Sequence, residues 1–268
     1  MWDFEHPPLD APLALRYQID RMTPSECAGR LASGEADIGL IPIAALASNP
    51  SLRILPGCTI ASKGRVRSLL LVHRAAQPIG ALRSVAADTA SRTTVAYTRI
   101  LLHRWGNPDA AFIPAAANLD AMLEIADAAI LIGDPALLAL ENQANRLERT
   151  GEKLIYLDLA EEWTGLMHVP FVSAVWGVAH GSLLDERIAA DFNQSRIHGL
   201  DNIDTLAREW EEKLPLTRQT IQTYLTTNIH YVLDEECLEG MRIFFRAASG
   251  YGVLPAVAAE LLSPDLAR

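Results

Sequence analysis

The sequence predicts an α/β protein with two lobes, each containing a doubly wound sheet, joined by two crossover strands. Helical and strand-like segments alternate through the middle of the chain, and this pattern favours parallel, doubly wound sheets. Two long apolar strands bracket that region: VRSLLLVH, from Val66 to His73, and PFVSAVWGV, from Pro170 to Val178. With 268 residues, 50% of them hydrophobic, the chain is long enough for one large domain or two small lobes.

Charge and cysteine content exclude several classes of function. The net charge of -10 would repel nucleic acid, and no basic patch offsets it. The three cysteines, Cys27, Cys58 and Cys237, form neither a metal motif nor a disulfide framework. The N-terminus lacks a leader pattern, and no apolar run is long enough to span a membrane. We therefore expect a soluble, cytoplasmic protein without a metal, nucleic-acid or membrane partner.

The first predicted elements are a helix and a buried strand. Thr23 begins a capping box with Glu26, and the helix ends at Gly34. The segment ADIGLIP that follows is a strand, and Pro42 ends its pairing because proline has no N–H. The continuous apolar run indicates burial on both faces, as in a parallel sheet.

The middle of the chain repeats strand and helix units. SVAAD is a predicted strand, and SRTTVAYTRILLHRW is a helix closed by Gly106. A helix capped by Asn118, the strand AAILIGD, the helix PALLALENQANRLE and the strand LIYLDL follow. The region after His180 is mostly helical, and we expect its MRIFF segment to belong to the core rather than to an interface.

The two long strands define the predicted lobes. The first lobe combines residues 1–72 with 175–268, and the second contains residues 73–174. Ligands are then expected in the cleft between the lobes, because domain interfaces collect pockets and open α/β sheets bind ligands at the carboxyl ends of their strands. A hinge of two strands would also permit closure.

The segment DTASRTT, residues 88–94, predicts a carboxylate site. The first N–H groups of a helix lack internal partners and attract anions. Ser91, Thr93 and Thr94 add hydroxyl groups. Arg92 adds a planar guanidinium group that can form two hydrogen bonds to a carboxylate. Alternatively, Ser91 only caps the helix and Arg92 points to solvent. One charged hydrogen bond contributes about 1.5 to 3 kcal/mol, whereas micromolar binding needs about 8, so the opposite lobe must contribute.

Several residues could provide the opposite half of the site. Pro42 and Ile43 end the strand ADIGLIP, Ser62 and Gly64 lie in the turn SKGR, and Ser68 lies in the first crossover strand. Ser68 could instead bond a neighbouring backbone carbonyl. Asp134 ends the strand AAILIGD, where it could act on a proton or cap the next helix; capping is the commoner role.

Other catalytic patterns have no support in the sequence. His73, His103 and His168 are scattered, and isolated histidines more often serve packing than catalysis. The sequence contains no HxxxH, GxSxG, P-loop or GxGxxG motif. The sequence therefore lacks the usual motifs of a metal site, a nucleotide site or a serine hydrolase.

Five segments, in this order, resemble the chorismate dehydratases of the futalosine route to menaquinone. They are LASGEADIGLIPIAAL, CTIASKGRVRSLLLV, VAADTASRTTVAYTRILL, AAILIGDPALL and PFVSAVWGV. The resemblance spans about residues 23–178. It implies a two-lobed fold like that of type II periplasmic binding proteins, and loss of water from chorismate to give 3-[(1-carboxyvinyl)oxy]benzoate without a cofactor.

The resemblance also implies roles for individual residues. By the family's GxVxS pattern, Ser68 is the polar residue expected to touch the reacting part of the substrate, while Ser91, Arg92, Thr93 and Thr94 bind it. A carboxylate of the substrate is an alternative general base. Two carboxylates on chorismate match one anion site at SRTT and further donors from the other lobe.

The chain departs from the family pattern at two places. Relatives begin with a strand and a motif like SYLNTxPL, whereas this chain opens at MWDFEH; we hypothesise that the missing strand is encoded upstream, since its loss would expose strand edges. The second departure is WTGLMHVPF, where Met167 to Val169 occupy a turn that carries threonine and glycine in relatives. Two other functions stay open: a non-catalytic binding protein for a small carboxylate, and the related 1,4-dihydroxy-6-naphthoate synthase.

Overall fold

The protein is described by a computed structural model for residues 2–6, 13–88, 91–262 and 264. Thr89 and Ala90, within the predicted carboxylate-binding segment, lie outside the described residues. The strands are β1 Ile38–Pro42, β2 Arg53–Ser62, β3 Leu69–Arg74, β4 Ser84–Ala87, β5 Ala111–Pro114, β6 Ala128–Ile132, β7 Leu154–Asp158 and β8 Phe171–Val178. The α-helices are α1 Trp2–Glu5, α2 Pro24–Ser33, α3 Arg92–Arg104, α4 Leu119–Ile125, α5 Asp134–Glu141, α6 Gln143–Thr150, α7 Leu159–Met167, α8 Glu186–Asp201, α9 Ile203–Glu211, α10 Arg218–Thr223 and α11 Glu235–Gly250.

The first sheet has three strands in the order β1-β8-β2, and both pairings are antiparallel. The prediction that ADIGLIP belongs to a parallel sheet is therefore wrong. The predicted burial on both faces holds for the face of Gly39 and Ile41, on which α2 packs, whereas Ile38 and Leu40 on the other face are only half-buried. An apolar run reports burial on two faces but not strand direction, and β8 runs opposite because it returns from the second sheet.

The second sheet has five strands in the order β5-β4-β6-β3-β7. The predicted parallel arrangement holds for β5, β4 and β6, whereas β3 pairs antiparallel with both β6 and β7. Two separate apolar clusters cover its faces, one containing Leu71 and Ile130 and the other Leu70 and Leu131. Helices thus cover both faces, as expected of a doubly wound sheet.

The two connections between the sheets are short. β3 pairs entirely within the five-stranded sheet, and β8 pairs entirely within the three-stranded sheet. The chain therefore passes from one sheet to the other at residues 63–68 and returns at residues 168–170. The division into a lobe of residues 1–72 with 175–268 and a lobe of residues 73–174 stays a prediction. Both connections observed between the sheets lie a few residues before the predicted boundaries.

Aromatic side chains connect the two sheets. The Tyr97 ring of α3 stacks on Phe171 of β8 with a centroid distance of 3.8 Å and lies 4.2 Å from Phe244 of α11. All three side chains are fully buried. Met241, Phe244 and Phe245 belong to this main core, so the prediction for the MRIFF segment is confirmed.

The helix boundaries follow local sequence signals. The Thr23 hydroxyl accepts the Glu26 N–H, and Gly34 closes α2 with a positive φ of 76°, as the sequence predicts. The expected single helix PALLALENQANRLE is divided at Asn142 into α5 and α6. Within the described residues, none of the helices has the length and apolarity needed to cross a membrane.

Candidate active site

The candidate site lies where one edge of the five-stranded sheet meets the ends of β1 and β2. Leu69 at the start of β3 pairs with Ile132 at the end of β6, and the Gly133 N–H donates to the Ser68 carbonyl over 2.7 Å. The neighbouring strand β4 runs parallel to β6 and ends at the same edge, just before Asp88. The topology therefore brings Ser68, Gly133 and the SRTT segment to one edge. The assignment of Ser68 to the opposite half of the site is wrong, because Ser68 leads directly into β3, which pairs within the five-stranded sheet.

Thr93 joins this edge to the other sheet. Its hydroxyl oxygen accepts the Ala44 N–H over 3.1 Å, and both residues are buried. Ala44 follows Pro42 and Ile43, so the predicted half-sites at the end of β1 and at the start of α3 meet directly. The side chains of Pro42 and Ile43 are themselves buried and apolar, and only their backbone could offer polar groups.

Tyr97, one turn further along α3, forms the second contact between the sheets. Its hydroxyl donates to the Val172 carbonyl over 3.3 Å and accepts the Val172 N–H over 3.2 Å. Burial raises the pKa of Tyr97 well above its usual range, so the hydroxyl stays neutral and can both donate and accept. These bonds fix the direction of α3 and therefore the position of its N-terminus.

The remaining SRTT side chains are arranged differently from one another. Ser91 occupies the N-cap position of α3, but its hydroxyl donates to the Thr94 hydroxyl over 2.8 Å and makes no capping bond, so only the exposure of Arg92 agrees with the alternative. Arg92 is exposed and forms no ion pair with any described residue. It lines a cavity of about 200 Å³ with Pro42 and Asn49. The guanidinium is thus available to an anion at the junction of the sheets.

Ser68 has a partner that the sequence pattern did not reveal. The Tyr224 hydroxyl donates to the Ser68 Oγ over 3.1 Å, which leaves the Ser68 proton free for another acceptor. Tyr224 begins a π-helical turn, Tyr224–Asn228, and such turns often occur at functional sites. Burial raises the pKa of Tyr224, the bond to Ser68 opposes this, and the nearby Asp134 carboxylate raises it further.

Asp134 lies in the first turn of α5, and its side chain is exposed. Gly133, with φ 66°, occupies the N-cap position in its place, so the expectation that Asp134 caps this helix is wrong. The positive φ is accessible to glycine without steric cost, which explains why the cap falls one residue earlier. Asp134 therefore keeps its carboxylate free of a capping role beside Tyr224.

Ser62 and Gly64 shape the turn before Ser68 rather than facing a ligand. The Ser62 hydroxyl donates to the Gly64 carbonyl over 2.7 Å and accepts the Gly64 N–H over 3.3 Å. Asn228 supports the same turn by donating to the Arg65 carbonyl over 3.0 Å. The Asn228 Oδ1 atom is buried and has no hydrogen-bond partner among the described residues, so it is an unused acceptor near the site.

Asp158 anchors the first crossover. Its carboxylate accepts the N–H groups of Val66 and Arg67 on the crossover and those of Ala160 and Glu161 at the start of α7. Burial raises the pKa of this carboxyl group, and the bonds from the backbone N–H groups oppose that effect. Arg67 has a positive φ of 67°, so this anchor holds a strained residue directly before Ser68.

One cluster has metal-ligand chemistry but is already engaged. His230, Asp234 and Cys237 place one ligand atom each within 4.8 Å of one another. Asp234 caps α11 by accepting the Cys237 N–H, and it pairs with Lys63 over 2.8 Å. Burial and the Asp234 carboxylate raise the pKa of the Cys237 thiol to about 12, so it is a neutral and poor ligand.

The segment Met167–Val169 forms the end of α7 and the return crossing. His168 has a positive φ of 57° and is exposed, whereas Met167 and Val169 pack against the main core. The side chain of His103 stacks on Tyr251 with a centroid distance of 4.6 Å, and His73 is buried with its Nδ1 atom 3.0 Å from the Arg74 carbonyl. Both have the packing roles that the sequence favours.

Comparisons with known proteins agree with this architecture. A model of a family described as menaquinone biosynthesis matches residues 3–250. The chorismate dehydratase of Thermus thermophilus is 28% identical over 242 residues, which cover 86% of each chain. The crystal structure of protein AF1704 from Archaeoglobus fulgidus has a TM-score of 0.63 at 18% identity, covering 89% of this chain and 87% of its own.

A further solved structure identifies the fold. The CA3427 gene product of Candida albicans, described as having the generic periplasmic binding protein structural fold, gives a TM-score of 0.57 at 14% identity. The match covers 90% of this chain and 80% of that one. The predicted two-lobed, periplasmic-binding-protein-like fold is thereby confirmed.

Proposed function

Because the chain belongs to the menaquinone biosynthesis family, whose model spans residues 3–250, we propose that it is a chorismate dehydratase, a hydro-lyase. The Thermus thermophilus relative carries this name and aligns over 86% of both chains. One structural observation carries the proposal: the anion-binding start of α3 and the hydroxyl of Ser68 lie at one edge, against the end of β1. This arrangement suits a small dicarboxylate held between two sheets.

The proposed reaction converts chorismate into 3-[(1-carboxyvinyl)oxy]benzoate and water. The proton on the ether-bearing ring carbon goes to a base, and its bonding electrons form the third ring double bond. The C–O bond to the adjacent hydroxyl group breaks, and this group leaves as water after it takes up a proton. Because the ring becomes aromatic, the protein mostly needs to orient the substrate, exclude water and assist proton transfer.

In the substrate-binding role, Arg92 and the first N–H groups of α3 hold one carboxylate. Arg92 is the exposed cation at this helix end, and the helix dipole adds partial positive charge. Ser91 and Thr94 add hydroxyl groups, while Thr93 fixes the helix end to Ala44. The backbone at Pro42 and Ile43 forms the opposite wall, and the turn at Ser62 and Gly64 supports the segment that leads to Ser68.

In the catalytic role, Ser68 donates a hydrogen bond to the leaving hydroxyl group. Tyr224 supports this donation, because its own hydroxyl group donates to Ser68 Oγ and thus orients the serine proton outward. Asp134 and a carboxylate of the substrate are the two candidate bases. Three free cysteines, of which Cys58 and Cys237 are buried, suit the reducing cytoplasm in which we place the enzyme.

Incubation of the purified protein with chorismate tests the proposal. Mass spectrometry should detect a product lighter than chorismate by one water, and the aromatic product should appear at the rate at which chorismate disappears. Thermal stabilisation by chorismate without turnover would instead indicate a binding protein. If chorismate is not converted and does not stabilise the protein, the proposal is overturned. The naphthoate synthase reaction is then the next function to test.

A further inference from the structure

A second cavity, distinct from the candidate active site, lies within the first lobe. Its volume is about 290 Å³, and it lies between the face of the three-stranded sheet and helices α8 and α9. The sheet contributes Leu40, Ile60 and Trp176, and the helices contribute Phe192 and Ile203 among other apolar side chains. Since a water molecule occupies about 30 Å³, the cavity has room for about ten water-sized groups, as in a single-ring ligand.

Arg196 of α8 places a cation in the wall of this apolar cavity. Its Nε atom is buried and has no hydrogen-bond partner, and no described carboxylate lies within 4 Å of the guanidinium. By contrast, Arg16 pairs with Asp191 of the same helix over 2.8 Å. The half-buried Arg196 side chain thus provides, at the cavity wall, a cation that has no carboxylate partner among the described residues and can bind an anion.

Neighbouring groups do not neutralise Arg196. Burial raises the pKa of the Cys58 thiol, and although Arg196 opposes this effect, the net shift is upward and the thiol stays neutral. The Ser195 hydroxyl already accepts the Asp3 N–H over 3.0 Å, and Thr59 donates to the Ala174 carbonyl over 2.8 Å. The positive charge in the cavity wall therefore lacks a compensating negative charge among the described residues.

We propose that this cavity binds a small organic acid with one carboxylate and a single aromatic ring. The carboxylate pairs with Arg196, and the ring occupies the apolar space beside Trp176 and Phe192. The Trp176 and Phe192 rings already pack in a T-shaped arrangement at a centroid distance of 4.9 Å, so an aromatic ring would extend an existing cluster. The inference does not depend on the chemistry of the cleft, because none of the lining residues belongs to the SRTT segment or to β3.

The site also has a route to the candidate active site. Leu225, within the π-helical turn Tyr224–Asn228, lines the cavity together with Tyr231. Tyr224 in turn donates to Ser68. A ligand in the cavity would therefore contact the π-helical turn whose Tyr224 bonds to Ser68. We expect such a ligand to change the turnover of chorismate as well as to bind.

Ligand-observed fluorine NMR with 4-fluorobenzoate tests the proposal, with 4-fluorobenzyl alcohol as the uncharged control ligand. We expect the acid to bind and the alcohol to bind at least about tenfold more weakly. Arg196→Gln should lower the affinity for the acid by about tenfold to a hundredfold. Arg187→Gln is the matched control, since Arg187 is exposed on the same helix and does not line the cavity. Affinity in that variant should stay unchanged.

Two further variants test whether the acid binds in this cavity rather than elsewhere on the protein. Leu206→Trp fills the cavity and should abolish binding, whereas Trp176→Phe keeps an aromatic ring in the cavity wall and should keep the affinity within about threefold. Arg92→Ala should have no effect on binding of the acid. Absence of binding to the folded wild-type protein, or loss of binding in Arg92→Ala but not in Arg196→Gln, would overturn the proposal.

Discussion

At the scale of single residues, the pair Ser68 and Tyr224 is the most specific feature of the candidate site. The serine lies before β3, and the tyrosine lies more than 150 positions later in a π-helical turn, yet their hydroxyl groups are 3.1 Å apart. A serine alone has little acidity or directionality. The tyrosine hydroxyl group fixes which lone pair of Ser68 is occupied and leaves its proton for the substrate.

Substitutions of this pair should be non-additive. Ser68→Ala should lower kcat by about 10² or more, as expected for loss of a transition-state donor, and Tyr224→Phe should lower it by about tenfold. If Tyr224 acts through Ser68, the double variant should be no slower than Ser68→Ala alone. Steady-state rates with chorismate measure this cycle, and unchanged turnover in Ser68→Ala would remove the serine from the mechanism.

Arg92 should act on binding rather than on the chemical step. It is exposed and has no ion-pair partner among the described residues, so its loss leaves the fold intact. Arg92→Ala should raise KM by about tenfold to a hundredfold with kcat within about twofold, since removing one charged hydrogen bond costs about 1.5 to 3 kcal/mol of binding. Arg104→Ala, at the opposite end of α3, is the control and should leave KM unchanged.

At the scale of elements, helix α3 is the part that joins the two sheets. Thr93 contacts the residue after Ile43, and Tyr97 bonds to both backbone groups of Val172. These contacts are polar and directional, and they sit in a packed aromatic core. The start of α3 is therefore fixed against the opposite sheet before any ligand is bound, which reduces the entropy that a ligand must lose.

Thr93→Val tests this anchoring. Valine keeps the shape of threonine but leaves the buried Ala44 N–H without an acceptor, so the free energy of unfolding should fall by about 1 to 3 kcal/mol. Thr98→Val is the control, because Thr98 is equally buried and bonds only to the Thr94 carbonyl within its own helix. Chemical denaturation of both variants measures the difference, and equal losses would contradict the anchoring role.

At the scale of the whole molecule, charged contacts fix the crossover between the sheets to the C-terminal helix. Lys63, on the crossover, pairs with Asp234 at the start of α11 over 2.8 Å. Burial alone would raise the pKa of Asp234, but the bonds from Lys63 and from the Cys237 N–H dominate and hold it below its usual range. The ionised carboxylate is thus favoured in the folded state.

The stability from Asp234 should depend on pH in a defined direction. A carboxyl pKa that is lower in the folded than in the unfolded state stabilises the fold above about pH 4 and loses this effect as the pH falls through the folded value. Asp234→Asn keeps a capping side chain, and we expect a loss of about 0.5 to 1 kcal/mol at pH 7 that shrinks below pH 4. Denaturation at several pH values measures it. Asp185→Asn, another helix cap, is the comparison, and an identical pH dependence there would contradict the role of Lys63.

Much of this organisation was predictable from the sequence, because it depends on neighbours in the chain. The capping box at Thr23, the cap at Asn118 and the closing glycines Gly34 and Gly106 are local signals, and each was found where predicted. Strand ends and helix starts also placed Asp134 and the SRTT segment at the cleft, whereas the sequence assigned Ser68 to the opposite half of the site.

Tertiary structure alone decided the features that depend on distant residues. Apolar composition does not encode strand direction, so the antiparallel pairing of β1 with β8 appeared only in the fold. Tyr224 reaches Ser68 across more than 150 residues, and no local pattern in YLTTN marks it. From the sequence, the hydroxyl groups of Ser62 and Thr93 are candidates to bind a ligand. In the fold, both form hydrogen bonds to backbone groups instead. The sequence by itself determined which residues could bind a carboxylate; packing decided which of them remain free to do so, because each buried polar group must first find a partner within the protein.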